Sequence, residues 1–334
     1  MKLGVYKAVL HDRPLEDALA VIGGLGLTGI EINSGGFLPP VHIPEIEEIA
    51  ASPAAAKAYL ARFEGTGVEI AGLNCNGNPL HPNAEIAEKH AEDIRRSIRA
   101  AAALGQTRVV TMSGLPGGEP GTKYPNWIVN AWNSAALDVL DYQWEIAAPF
   151  WSEMDRFAKD HGVKVALELH PQNLVFNARD VKKLIELTGA THLGVEMDAS
   201  HLFWQQADPI AVVRELGPLI FHAAAKDVRI NPNARLNGVL DNGFRRLSPD
   251  EPRVNLGGDE WANEGPKDSS WDVVALGKGH DTAYWTEFIR ALYDVDPDMC
   301  LNIEHEDTEL GRIEGLEVAA KVLTDAWAAL EVGA

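Results

Sequence analysis

Positive charge is scarce in this chain: 29 lysines and arginines stand against 49 aspartates and glutamates, a formal net charge of −20. A surface of that sign repels polyphosphates, so no nucleic-acid partner is expected. Cysteine is scarcer still. Cys75 and Cys300 are far apart and lack the spacing of a redox pair or a zinc knuckle, so both read as inert. No apolar run reaches the roughly 18 residues of a membrane span, and the stretch from Met1 to Val9 is too short for a secretion signal. A cytoplasmic protein with no membrane partner is expected.

What is present is a short β-branched or apolar run followed by an Ala/Glu/Leu-rich helical stretch, repeated along the chain. The candidate strands are Leu3 to Val9, Gly29 to Asn33, Glu69 to Asn74, Arg108 to Ser113, Lys164 to His170, Leu193 to Asp198, Leu219 to Ala225 and Cys300 to Glu304. Helices are expected at 14–25, 44–64, 84–104, 144–161, 178–188, 208–216, 282–293 and 312–330. Eight strands and eight helices in strict alternation predict an α/β fold, a single (β/α)8 barrel with residues 1–334 as one domain. An open doubly wound sheet would want a glycine-rich first turn, whereas Gly24-Leu25-Gly26 ends a helix.

Two connections are long, and both follow strands, where a barrel builds its active-site face. Residues 114–142, after strand four, hold Tyr124, Trp127 and Trp132; residues 226–281, after strand seven, hold Trp261 and Trp271. Such aromatic loops cover either a substrate ring or a partner subunit. Trp127 is taken as a candidate substrate contact.

Chemistry concentrates at the strand ends. Along Lys164-Val165-Ala166-Leu167-Glu168-Leu169-His170, period-two geometry turns Ala166, Glu168 and His170 inward and the apolar set outward. Strand six ends Asp198-Ala199-Ser200-His201, strand seven contains His222 followed by Lys226-Asp227, and strand eight runs Asn302-Ile303-Glu304-His305-Glu306. Three carboxylates at one barrel mouth repel one another unless a cation sits among them. Glu168, Asp198, His222 and Glu304 are therefore the expected ligands of one divalent metal, with Mn²⁺ favoured and Mg²⁺, Co²⁺ or Fe²⁺ also compatible with an oxygen-rich set. His81 and His280 are placed to reach the mouth, as are Asn74 and Asn76, which share an inward phase with Gly72; Glu31 is expected to face inward on strand two. His11, His42, His90, His161 and His192 lie on helices or beside them and read as structural.

On Gly29-Ile30-Glu31-Ile32, Leu167-Glu168, Asp198-x-x-His201, His222 with Lys226-Asp227, and Glu304, the chain resembles the xylose isomerase-like barrel superfamily, also known as sugar phosphate isomerases/epimerases. The resemblance implies that the Glu, Asp, His and Glu bind one metal, that His201 and Lys226 help hold a sugar or glycoside, and that Glu168 and Glu304 exchange substrate protons. The related apurinic endonuclease branch needs further histidines that Thr111-Met112-Ser113 and Lys226-Asp227-Val228-Arg229 do not supply.

The run Glu168-Leu169-His170-Pro171-Gln172-Asn173, with the long loop after strand seven, is similar to the large subunit of C-glycoside deglycosidases. That likeness implies a lyase that cleaves the carbon–carbon bond of a 3-oxo C-glycoside by β-elimination, His170 serving as base, together with a small second subunit. A ketose or aldose isomerase or epimerase is the alternative, and a non-catalytic sugar-binding subunit is a third reading that fold alone does not exclude.

Overall fold

The computed structural model describes residues 1–332 apart from 254, 258, 259 and 308. Eight parallel strands, β1 (Lys2–Tyr6), β2 (Gly29–Asn33), β3 (Glu69–Asn74), β4 (Arg108–Met112), β5 (Lys164–Glu168), β6 (Leu193–Asp198), β7 (Ile220–Ala225) and β12 (Cys300–Ile303), close into a barrel in which β12 lies between β7 and β1. The helices α1 (Leu15–Gly24), α2 (Ile46–Ala51), α3 (Pro53–Ala61), α4 (Ala84–Ala103), α5 (Ser134–Asp160), α6 (Ala178–Thr188), α7 (Ala199–Phe203), α8 (Pro209–Leu216), α10 (Thr282–Val295) and α11 (Arg312–Val332) fill the connections. The expected (β/α)8 architecture is the one observed.

Alternation along each strand divides the interior in two. Val165, Leu167 and Leu169 point outward into a buried shell that includes Trp151, Trp285 and Phe288. Inside the bore, Val110, Ala166 and Phe221 form a separate small plug. Between β6 and β7 the register slips: Val195 pairs with Ile220 but Glu196 with His222, so Phe221 is an extra residue. This bulge sends two consecutive β7 side chains, Phe221 and His222, into the bore. Gly194 makes room for the first, since a Cβ there would sit 2.5 Å from the Phe221 ring.

Local chemistry explains where the elements depart from expectation. The helix expected over 44–64 is two, because Ser52 is extended, its Oγ accepts from the Ala55 N–H at 3.3 Å, and Pro53 starts the next helix. Asn133 caps α5 by accepting from the Ala136 N–H at 3.0 Å, so the helix begins at Ser134 and the connection after β4 ends earlier than the expected 142. β1 ends at Tyr6, where a 3₁₀ turn over Lys7–Leu10 takes over. β5 ends at Glu168, leaving His170 beyond the strand.

The long excursion after β7 has its own small elements: β8 (Asp227–Ile230), α9 (Ala234–Asn237), β9 (Asn255–Gly257), β10 (Glu260–Trp261) and β11 (Trp271–Val274). β8 and β11 pair antiparallel with Asp227 opposite Val274. One Asp227 oxygen accepts from the backbone N–H groups of Gly277, Gly279 and His280 at 3.0, 3.0 and 2.9 Å, which fastens the returning chain to the departing one.

Candidate metal centre

Glu168 at the end of β5, Asp198 at the end of β6 and Glu304 just past β12 each offer a carboxylate oxygen, all within 4.8 Å of one another. His201 reaches them because Asp198 caps α7, accepting from the Ser200 N–H at 2.8 Å, and the turn that follows swings the imidazole back. Its Nε2 lies 3.0 Å from Glu168 Oε1 and 3.2 Å from Asp198 Oδ2. Asn76 Nδ2 donates to the other Glu168 oxygen. The Lys226 ammonium, 3% exposed, sits 3.1 Å from Glu304, 3.1 Å from Glu306 and 3.7 Å from Asp198.

Burial raises the carboxyls of Asp198 and Glu304 above the usual range, an effect that neighbouring Lys226 only partly offsets. Burial acts on Glu168 in the same direction, but the hydrogen bond from His201 and the nearby Lys226 ammonium outweigh it and hold this carboxyl low. Burial works against the Lys226 cation, yet the surrounding carboxylates of Glu306, Glu304 and Asp198 hold its proton more firmly than usual. Asp198 Oδ2 is buried, with His201 Nε2 at 3.2 Å and the Lys226 ammonium at 3.7 Å beside it. Three converging carboxylates fit a hard divalent cation such as Mn²⁺ or Mg²⁺.

His222 does not join this trio. In register, Asp198 pairs with Ala224 and Glu196 pairs with His222, so the imidazole lies two residues deeper in the bore. There His222 Nε2 is 2.8 Å from Glu31 Oε2, and the Asn302 amide donates to the same carboxylate oxygen at 2.9 Å. Of the four expected ligands, the structure brings Glu168, Asp198 and Glu304 together and leaves His222 in the layer beneath, with Ala224 the strand partner of Asp198. Asn74 also belongs to this floor: fully buried, its amide donates to Glu31 Oε1 at 2.8 Å and its oxygen accepts from the Asn76 N–H at 3.0 Å.

Beside the trio opens a cavity of about 370 Å³ lined by Phe37, His81, Met112, Leu115, Trp127 and His170 among others. It is built by the connections after β2, β3, β4 and β5. His170 Nδ1 lies 2.7 Å from the Pro171 carbonyl and the ring packs against His201 at 4.4 Å, so this residue borders both cavity and carboxylates. Burial, together with the neighbouring His201, pushes its imidazole down to about 4, which keeps it neutral. Gln172, on the same wall, holds a left-handed backbone at φ 59°, a conformation that few non-glycine residues adopt. Trp127 and His81 line the cavity, whereas Tyr124 and Trp132, on the connection that carries Trp127, are exposed. His280 instead stacks on Phe203 at 3.7 Å, its Nδ1 2.7 Å from Asp227.

Glu196 is the residue that sequence reasoning missed most plainly, and its signal was present: it stands two before Asp198 and so shares its inward face. Tyr6, Phe37 and Met112 were missed because nothing local marks the end of β1 or the cavity walls. Glu306 was read as part of the acidic crowd without its ammonium partner.

A closed parallel barrel with acidic residues gathered at the carboxyl ends of its strands defines the class, and the chain belongs to the xylose isomerase-like TIM barrel family, which matches residues 19–325. It is 32% identical over 328 residues to the uncharacterized protein YfiH of Bacillus subtilis, covering 97% of this chain and 98% of that one. Among solved structures, the probable 3-DHS dehydratase AsbF of Bacillus anthracis superposes with a TM-score of 0.62 at 16% identity, covering 97% of this chain and 99% of that one. IolI, solved with a zinc atom, gives 0.61 at 16% identity with 99% of each chain covered. A D-tagatose 3-epimerase-like protein gives 0.61 at 18% identity, covering 100% of this chain and 99% of that one.

Proposed function

We propose that this chain is a divalent-metal-dependent enzyme acting on a sugar-like ketone, removing a proton next to the carbonyl and expelling a β-substituent. The favoured substrate is a 3-oxo C-glycoside cleaved between carbons, with the chain serving as the large subunit beside a smaller one. The observation that carries this reading is the cavity of about 370 Å³ lined in part by His170, whose ring nitrogen lies within 4.8 Å of a Glu168 oxygen. A polar sugar ring at the trio leaves its substituent directed at Phe37, Met112, Leu115 and Trp127, surroundings suited to an aromatic aglycone.

Glu168, Asp198 and Glu304 would hold the cation, Mn²⁺ by preference. When bound, it supplies Lewis acidity toward the carbonyl oxygen. His170 donates from Nδ1 to the Pro171 carbonyl, which leaves its Nε2 lone pair to accept the substrate proton. The electron pair of the broken C–H bond forms the new C=C bond, the bond to the aglycone breaks with its pair, and a proton completes the departing carbon. His201 and Lys226, at the rim of the trio, position hydroxyl groups.

The alternative is epimerisation, favoured by the shared fold of a D-tagatose 3-epimerase-like protein and by Glu168 and Glu304 both bordering the trio. In that case Glu168 and Glu304 are the proton carriers. Purified protein with Mn²⁺ is to be assayed on a 3-oxo C-glucoside and on free ketoses, with a candidate small subunit added or omitted. His170→Ala is expected to abolish deglycosylation while the manganese content is unchanged. Cleavage retained in that variant overturns the assignment, and solvent deuterium entering a recovered ketose selects epimerisation.

A further inference from the structure

We propose that Glu31, Glu196 and His222 hold a second divalent cation inside the bore, one inward-facing layer beneath the Glu168, Asp198 and Glu304 trio. The three residues are fully buried. Each offers a ligand atom, and these atoms lie within 4.8 Å of one another. They come from β2, β6 and β7, and the pairing of Glu196 with His222 across the bulge fixes their level.

The second observation is what these side chains lack. Both carboxylate oxygens of Glu196 are buried with no hydrogen-bond partner among the described residues, and so is His222 Nδ1. A carboxylate stripped of water and left unpaired is among the costliest groups a protein interior can hold. The charges facing Glu196 are Glu31, Glu168, Glu304 and Asp198, all of its own sign. Lys226, the ammonium at the mouth, is engaged above with Asp198, Glu304 and Glu306. A proton on Glu196 would remove the charge but still leave both oxygens without a hydrogen-bond partner among the described residues. A cation satisfies both oxygens and offsets the charge together.

The surroundings are arranged for it. Glu31 is fixed by donors on both oxygens, Asn74 on one and Asn302 on the other, so its carboxylate cannot turn away. His222 Nε2 lies 2.8 Å from both Glu31 Oε2 and Asn302 Nδ2, and its Nδ1 has no hydrogen-bond partner among the described residues. Two carboxylates and one imidazole suit Mn²⁺, Fe²⁺ or Zn²⁺ better than Ca²⁺.

The test is metal content and position. Chelator-stripped protein is loaded with Mn²⁺, desalted and analysed by mass spectrometry, alongside Glu196→Gln and Asp198→Asn. About two equivalents per chain are expected for the wild type and about one for each variant, each having lost a different ion. Crystals soaked in Mn²⁺ are expected to give an anomalous peak between Glu196 and His222 that survives in Asp198→Asn. One equivalent in the wild type that Glu196→Gln retains, or an unchanged count in Glu196→Gln, overturns the proposal. So does ordinary water density with no anomalous signal beside Glu196, and that map decides the matter even if Glu196→Gln fails to fold. Failure of the outer site alone appears as loss of the Asp198-dependent ion with the inner peak intact.

Discussion

Asp198 and Ala224 are strand partners across β6 and β7, which sets a methyl group, not an imidazole, against the carboxylate trio. An all-oxygen protein donor set favours Mn²⁺ or Mg²⁺ over Zn²⁺. Ala224→His is expected to shift that preference, tightening Zn²⁺ by about tenfold or more, a change of about 1.4 kcal/mol. Competition titration against a chromogenic chelator measures it. Unchanged zinc affinity in a folded variant would show that position 224 does not face the ion.

The Lys226 ammonium is the counter-charge of the mouth when metal is absent. Lys226→Met leaves Asp198 and Glu304 buried without it, and a loss of about 3–5 kcal/mol is expected in chelator-treated protein. Saturating Mn²⁺ should recover much of that loss. Urea melts with EDTA and with Mn²⁺ make the comparison, and equal destabilisation in both would contradict the role given to this lysine.

Two histidines away from the mouth predict the acid limb of stability. His42 Nε2 donates to the Arg13 carbonyl at 2.7 Å, and burial with nearby Lys7 pushes its imidazole down to about 4. His90 Nδ1 accepts from the Asn78 N–H at 2.9 Å, and burial likewise pushes it to about 4. Unfolded, both take a proton near pH 6.5. Above that pH neither state is protonated and the contribution is complete; between 6.5 and 4 the unfolded chain alone gains protons, so stability falls with pH. A decline on the order of 2–3 kcal/mol per histidine is expected. Denaturant melts from pH 7.5 to 4.5 follow it, and His90→Gln should flatten the slope.

Trp127 separates the two substrate readings. Trp127→Ala is expected to raise KM for an aromatic glycoside by about 10–100-fold, the worth of about 1.4–3 kcal/mol of ring contact, while a free ketose is unaffected. Equal losses on both substrates would place Trp127 over the sugar instead of the aglycone.

Much of the barrel was legible because its signals are local. β2, β3, β6 and α6 run where their apolar phase and caps put them. The Ser52-Pro53 break and the Asn133 cap carry ordinary signals too, but each lies inside or ahead of a stretch whose composition is already helical. The site was legible only in part. Glu168, Asp198, Glu304 and His201 stand at strand ends that periodicity marks, whereas the choice between His222 and Ala224 depends on register across two strands and on a one-residue bulge at Phe221. No single strand contains that information. The cavity walls come from four separate connections, and Phe37 meets Trp127 only once the barrel has closed.

The fastening at Asp227 bears on how such a barrel diversifies. Because departing and returning chain are joined by that carboxylate and by the β8–β11 pairing, the excursion is pinched shut at its neck. Entropy lost on closing a loop grows slowly with its length. Residues inserted, deleted or exchanged beyond the neck therefore leave β7 and β12 in register. The segment is an exchangeable cassette at the carboxyl-terminal rim, through which a lineage can revise the approach to the carboxylate-lined mouth without rebuilding the strands beneath it.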